Sequence, residues 1–455
     1  MEPSRLDELR RLLRGEVVVD PETLDRVNRD GSHLKGRAAA CVRPADRSDV
    51  VRLVGWARRT GTALVARGGG TSLDGESVPP RDALVVDLAG WSSVHEVRAE
   101  ELWARIGPGV VNLDLQRALR PKGLFFPPNP GSWTQSTIGG NVATNASGPR
   151  SFKYGSTRAW VRELEAVLGT GASLRLGTKA PKRSVGPDLL SLLIGSEGTL
   201  GVITELTVRL APIPPVRQGL VVALPEPVHL GTLAARLSNA PGTGLSAVEY
   251  LDRGCATVLA EGRRPVGPGG RALLMLEVEA DDPASAASRV ARLHEVLRRG
   301  GADGPTELFE EADDLWSLRG ESSVVLDERF GHRIREDVAV PTGQVDALLA
   351  AVHRIAEEER VPLFLFAHLG EGNLHPNYVV DPTSPAAERI RKALVEASLR
   401  LGGTISAEHG VGLLKVPYLA QELGPEAVRL LRSIKEACDP DGILNPGKLY
   451  PPPYR

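Results

Sequence analysis

The stretch Pro127–Val161, PPNPGSWTQSTIGGNVATNASGPRSFKYGSTRAWV, decides how the rest of the chain is read. It concentrates glycines, small hydroxyl side chains and the amides Asn141 and Asn145, with few bulky groups and no apolar periodicity. Such a run offers neither a helix stripe nor a strand face to a core. It is suited instead to lie against an extended polar ligand.

Two more glycine segments flank it in sequence. In ARGGGTSLDGESVPP, Gly68, Gly69 and Gly70 follow a short apolar run and precede Thr71 and Ser72. Consecutive glycines let the backbone approach a ligand closely and turn several N–H groups toward one point, as a pyrophosphate requires. By itself this loop serves equally well as a turn. In IGSEGTLGVITELTVRL, Gly195, Gly198 and Gly201 surround Glu197 and Thr199 just before an alternating strand pattern. Three such loops imply a large cofactor wrapped by backbone. No GxGxxG with its acidic partner and no GxxxxGK[ST] occurs, which disfavours a nicotinamide Rossmann site and a P-loop.

Around the loops, SDVVRLVGWARRTG predicts a helix capped by Ser48 and stopped by Gly61, and VRELEAVLGTGASLRLG predicts a hairpin turning at Gly169–Gly171. The pattern changes at the prolines of APIPPV, and a domain boundary is placed near residue 213. Beyond it, strand-like and helical segments alternate, which suggests a second α+β domain with an antiparallel sheet. The 455 residues, 42% hydrophobic, suffice for two or three cores, and a net charge of -2 without a basic run argues against nucleic acid as a partner. Three dispersed cysteines with no CxxC spacing fit a reducing compartment. No signal-peptide pattern and no long apolar window stands out, so a cytoplasmic location is expected, with peripheral attachment at the inner membrane face left open.

Two of the nine histidines, His368 and His375, sit in AHLGEGNLHPNY, where apolar runs flank Glu371, Gly372 and Asn373. A strand turning back on itself can bring both imidazoles to one face, a divalent-metal pattern. Each could equally be a hydrogen-bonded residue at a strand end. In SAEHGVGLLK, Glu408 and His409 are neighbours that point in different directions, so one can bind a metal while the other faces a substrate. Two histidines and a carboxylate leave open coordination positions, as catalytic metal sites do.

In their order and in TIGGNVATNASG and GSEGTLGVIT above all, the three loops resemble the flavin-binding domain of the vanillyl-alcohol oxidase and p-cresol methylhydroxylase superfamily. Within it the likeness is to the D-lactate, D-2-hydroxyglutarate and glycolate dehydrogenase branch, and runs from about Arg37 to Tyr450. It implies an α+β fold with a two-part FAD-binding domain of the vanillyl-alcohol oxidase type and a C-terminal α+β substrate, or cap, domain with an antiparallel sheet. The expected division is a helical extension at 1–36, the FAD domain at 37–213, the cap with its metal site at 214–430, and 431–455 returning to the flavin.

By the same likeness, Arg67, Gly68, Gly69, Gly70, Thr71 and Ser72 hold the FAD pyrophosphate. Pro130, Ser136, Thr137, Gly139, Gly140 and Asn141 line the cofactor with Thr144, Asn145, Gly148 and Tyr154. Glu197, Gly198, Gly201 and Ile203 complete the cleft, and Asn445 and Lys448 approach it from the C-terminal CDPDGILNPGKLY. Where covalent members carry a flavin-linked histidine this chain has Thr71, so the FAD is expected to be non-covalent. The resemblance assigns His368, His375 and Glu408 to a divalent metal, with zinc as the candidate, and His409 to the base. It places Arg319, Ser323 and Arg335 near the substrate carboxylates, the last after one inserted residue; surface ion pairing is the competing role for the arginines. His332 is a further candidate to reach the pocket and is not assigned to the site. The usual aspartate between the histidines is here Glu371.

The expected reaction is oxidation of a D-2-hydroxy acid to the 2-oxo acid. The acceptor stays open among a quinone, a cytochrome, an electron-transfer flavoprotein and oxygen, and a homodimer is conceivable. A non-redox flavin-binding alkyl transferase, a non-catalytic flavin subunit and a metal-dependent hydrolase are the competing functions. The last gives no reason for three glycine loops.

Overall fold

The computed structural model describes residues 2–262 and 270–450, and its chain contacts divide it into two units. The first comprises the residues up to Ser147, Ser156–Ile213 and Glu408 onward; the second comprises Gly148–Gly155 and Pro214–Ala407.

In the first unit, β1 (Glu16–Val18), β2 (Ala40–Arg43), β3 (Leu64–Arg67) and β4 (Leu84–Asp87) form a sheet of order β1-β2-β4-β3. Strands β2 and β3 run parallel to β4, joined through the helix Arg47–Thr60. That helix buries Val50, Leu53, Val54, Trp56 and Ala57 against Leu84 and Val86. Cutting its one leucine, the buried Leu53, back to alanine costs about 2–5 kcal/mol. Its N-cap is Asp46, which accepts from the Asp49 N–H, and not Ser48; a carboxylate two residues earlier takes the orphan donor. Gly61 ends it with a left-handed backbone, as expected.

A second, antiparallel sheet has the order β5-β6-β10-β8-β9, from β5 (Val94–Arg98), β6 (Trp103–Ile106), β8 (Val161–Leu168), β9 (Ser173–Gly177) and β10 (Gly201–Arg209). The short strands β7 (Leu124–Phe125) and β11 (Ala211–Pro212) pair separately. Residues 1–36 are not an extension: Leu9 and Leu13 are buried in the unit's core and β1 pairs with β2. The C-terminal return begins at Glu408 and not at residue 431. Its end is fixed by a parallel bridge between Leu64 and Leu444, and Ile443 and Leu444 join the core around the 47–60 helix.

The second unit is built on one eight-stranded antiparallel sheet. Its strands are β12 (Val216–Ala223), β13 (Leu245–Leu251), β14 (Leu273–Ala280), β15 (Thr306–Phe309), β16 (Ile334–Arg335), β17 (Val338–Ala339), β18 (Leu363–His368) and β19 (Asn373–Tyr378). The order is β15-β12-β14-β13-β18-β19-β16, with β17 also on β19. Alternation gives the sheet two unlike faces. One carries Leu220, Val248, Leu274, Leu365, Leu374 and Tyr378 in a single apolar cluster with helices at 230–238, 283–299, 345–359 and 385–400. The other carries Val221, Leu251 and Met275 against the helices Arg253–Gly262 and Ala312–Phe330, and then turns polar toward β18, β19 and β16. No helix among the described residues is long and apolar enough to cross a membrane.

Candidate functional site

The hairpin that carries His368 and His375 folds as its sequence suggests. Strands β18 and β19 pair antiparallel with Phe366 opposite His375 and His368 opposite Asn373, closed by a 3-10 turn at Leu369–Glu371 and a left-handed Gly372. Phe366 and His368 are two residues apart on one strand, so His368 lies diagonal to His375 on the same face. Their ring centroids are 4.9 Å apart and nearly perpendicular, and each ring offers a nitrogen within 4.8 Å of the other's. Both side chains are buried. Glu371 stays in the turn, where it accepts from the Ser151 hydroxyl.

Each imidazole stands beside a buried carboxylate that the sequence reading missed. Glu249, opposite His368 across the β13–β18 pair, sits 2.5 Å from His368 Nδ1 and also accepts from Arg319 Nε at 2.9 Å. An ionised Glu249 favours the proton on Nδ1 and leaves the Nε2 lone pair for a ligand, the arrangement in which carboxylates orient metal-bound histidines. Asp337 lies 3.9 Å from His375 Nδ1, and accepts from Asn373 Nδ2 and from the Ala407 N–H at 2.9 Å. Glu408 is the next residue, so the chain leaves this unit from beside His375. Glu249 has no local sequence signal beyond being a charge within the apolar run LSAVEYL, and Asp337 none beyond following the charged stretch HRIRE; only sheet pairing brings Glu249 to a residue 119 positions away.

Arg319, Ser323 and Asp327 form one stripe of the 312–330 helix, spaced i, i+4, i+8. The Arg319 guanidinium stacks over Phe366 at 4.3 Å. Ser323 accepts from Arg333, a residue the sequence reading passed over and one of the largest fully buried side chains. Arg333 also reaches Asp327 and Asn377, and burial followed by the neighbouring Arg335 pulls its pKa down to about 10. Arg335 lies opposite Asn377 and so shares the histidine face, where its Nη2 contacts both Asp327 oxygens at 2.6 and 2.7 Å. His332 is exposed.

In the first unit, Gly68 and Gly69 press on the Thr137 side chain and the Gln135 backbone: added Cβ atoms would come within 2.1 and 2.5 Å. The first two glycine loops are therefore in contact through positions that exclude a side chain. Gly139 packs equally tightly on Pro108. Thr137 caps the short helix Ile138–Thr144, in which Thr144 bonds the Gly140 carbonyl. Ser136 Oγ and Asn141 Nδ2 are buried without a protein hydrogen-bond partner, a cost of about 1–3 kcal/mol each that a polar ligand relieves. This set fits a dinucleotide cofactor. Asn145 and Glu197 hold left-handed backbone, a strain that collects at functional sites.

Several other residues read as cofactor contacts are engaged by protein. The Glu197 carboxylate takes the N–H groups of Val411 and Gly412 at 2.6 and 3.0 Å, and Asn445 Nδ2 bonds the carbonyls of Glu76 and Glu197. Lys448 donates to Val78 and Asn445, and Arg67 Nη1 donates to the Arg29 carbonyl at 2.8 Å. The Ser72 carbonyl accepts from Gly31 N and the Pro130 carbonyl from Trp133 N. Gly70 and Gly198 have left-handed backbone; Gly201 and Ile203 open β10. Thr71 lies in the first loop, half-buried. Gly148 and Tyr154 belong to the second unit, where the Tyr154 hydroxyl bonds Glu279 at 2.8 Å. The bonds made by Glu197, Asn445 and Lys448 tie the C-terminal return to the segments that carry the first and third glycine loops. Beside it, burial and then the Glu197 charge push the Glu76 carboxyl well above its usual range.

The same return carries Glu408 and His409. Glu408 accepts from the Ser147 hydroxyl at 3.0 Å, and His409 Nε2 lies 4.0 Å from Glu408 Oε1. Gly410 has a left-handed backbone, and a Cβ there would meet the Glu76 and Glu197 carboxylates at 2.6 and 3.0 Å. The loop that presents His409 is thus pinned on one side by buried carboxylates.

Comparison with known proteins gives two matches along the chain. Residues 38–177 match an FAD binding domain, and residues 213–449 match the family described as FAD linked oxidases, C-terminal domain. The chain is 35% identical to the glycolate oxidase subunit GlcD of Bacillus subtilis over 90% of its own length and 88% of that protein. It is 34% identical to a D-lactate dehydrogenase of Archaeoglobus fulgidus, covering 98% and 99%, and 32% identical to a D-2-hydroxyglutarate dehydrogenase of Stutzerimonas stutzeri, covering 99% of both. Among solved structures, p-cresol methylhydroxylase with substrate bound superposes with a TM-score of 0.82 at 18% identity over 98% and 96% of the two chains, a likeness of fold.

Proposed function

The chain belongs to the family of FAD-linked oxidases, and from that premise we propose that it oxidises a D-2-hydroxy acid to the 2-oxo acid. The observation that carries the reading is the coexistence of glycine loops that exclude side chains with a buried histidine pair oriented by Glu249. Bound FAD supplies the hydride acceptor. His368, His375 and Glu408 are the proposed ligands of a divalent metal, zinc first, which would supply Lewis acidity at the substrate hydroxyl. The chain's own residues do the rest. Glu249 holds His368 in one tautomer and orients Arg319; Arg319, stacked on Phe366, orients the acid through charge-assisted hydrogen bonds. His409 takes the hydroxyl proton on its imidazole.

A colourless preparation would end this reading. The protein is expected to be yellow, to release its flavin into solution on acid precipitation, and to be bleached by a D-2-hydroxy acid without NAD. Bleaching by the L-enantiomer alone would refute the stereochemical assignment. Replacing Gly69 by alanine should lower FAD occupancy several-fold, because the new methyl meets backbone at Gln135 that cannot swing aside. The flavin-to-protein absorbance ratio reads it directly.

A further inference from the structure

The helix residue Asp327 holds the two arginines at the end of the sheet beside the histidine face. It is the shared partner of Arg335, through both oxygens, and of Arg333 Nε at 3.1 Å. Both arginines also meet Asn377 or its register position, two residues along β19 from His375 and on the same face. Two strand residues span about 7 Å, the reach of a short dicarboxylic acid anchored by its hydroxyl end at the histidines. Arg333 spends its remaining nitrogens on Ser323 and Asn377. The pair's charge is therefore answered from within the protein, by a carboxylate that is itself 39% exposed on its side chain.

Resting on the 2-hydroxy acid reading above, we propose that Asp327 is a specificity-determining residue that occupies the Arg333–Arg335 pair and so selects short monocarboxylic 2-hydroxy acids over dicarboxylic ones. A distal carboxylate entering this corner meets Asp327 as a like charge and has to displace it from two guanidinium groups. A methyl or hydrogen at the same place meets neither demand. Converting the carboxylate to an amide removes the repulsion and keeps the size, so the arginines become available to the substrate. For a partly exposed pair the gain lies at the low end of like-charge effects, roughly tenfold.

The test is steady-state oxidation of D-lactate and D-2-hydroxyglutarate, with a dye acceptor, by the flavin-loaded wild type, Asp327→Asn, Asp327→Glu and Arg335→Ala. Wild type should favour D-lactate. Asp327→Asn should raise the hydroxyglutarate-to-lactate ratio of kcat/KM roughly tenfold, mostly through KM for the dicarboxylic acid, and Asp327→Glu should restore the original order. Arg335→Ala should not gain hydroxyglutarate activity. A wild type that already prefers D-2-hydroxyglutarate, or an Asp327→Asn ratio that stays put or falls, overturns the proposal while leaving the 2-hydroxy acid reading intact. Oxidation of neither acid, nor of glycolate, sinks the reading itself and the proposal with it.

Discussion

Replacing His368 by alanine is expected to strip the divalent metal from the protein while FAD stays bound. The residues read as the cofactor site, Gly148 and Tyr154 excepted, belong to the first unit, and His368 ends a strand of the second. Removal of the imidazole leaves Glu249 still paired with Arg319 at 2.9 Å, so no uncompensated charge is left in the sheet. The fold should therefore survive and the loss should be specific. His375→Ala and Glu408→Ala should behave alike, since each deletes one donor of the proposed set. Glu249→Gln should act more mildly, weakening metal affinity about 10–100-fold, the range seen when a group that orients a ligand is changed. Elemental analysis after desalting, beside the flavin-to-protein ratio, separates these outcomes. Flavin bleaching by the D-acid should fall by more than about 10³ in the three ligand variants, because metal polarisation is worth several kcal/mol in the transition state. Full metal and full rate in His368→Ala would return both imidazoles to a structural role.

The sequence made some of this legible and hid the rest for physical reasons. Elements with a strong period or a punctuating glycine were readable: the hairpin turning at Gly169–Gly171, the helix stopped by Gly61 and the β18–β19 hairpin all lie where local pattern puts them. Local pattern could also place His368 and His375 on one face, because the turn fixes the register between them. It could not place Glu249, Asp337 or Arg333. Their neighbours are set by pairings between distant segments, and a charged residue looks the same in sequence whether it faces a histidine or solvent. The C-terminal return was read short because Glu408–Lys415 has no strand or helix period; what holds it is a set of backbone bonds to Glu197 and Asp74. Thr71 shows the converse case. A single residue type in a specific loop carried a statement about covalent chemistry that no geometry in the fold repeats.

His409→Ala should separate proton transfer from binding. The loop that carries His409 is anchored through its backbone, by the Val411 and Gly412 N–H groups on Glu197, and Glu408 has its own partner in Ser147. Deleting the imidazole therefore removes a proton acceptor without releasing the loop. Metal content and flavin occupancy should both match wild type, unlike the ligand variants. The rate of flavin reduction in a single turnover should fall about 10²–10⁴-fold, or about 3–5 kcal/mol, the scale of a lost general base. Added imidazole should recover part of that rate, because a small base can enter the space left behind, and it should not help His368→Ala, where the missing group is a ligand. A loss below about threefold with metal and FAD intact would mean that another group takes the proton. In that case the assignment of His409 falls, and the buried carboxyl of Glu76, which packs on Gly410 beside it, becomes the next group to replace.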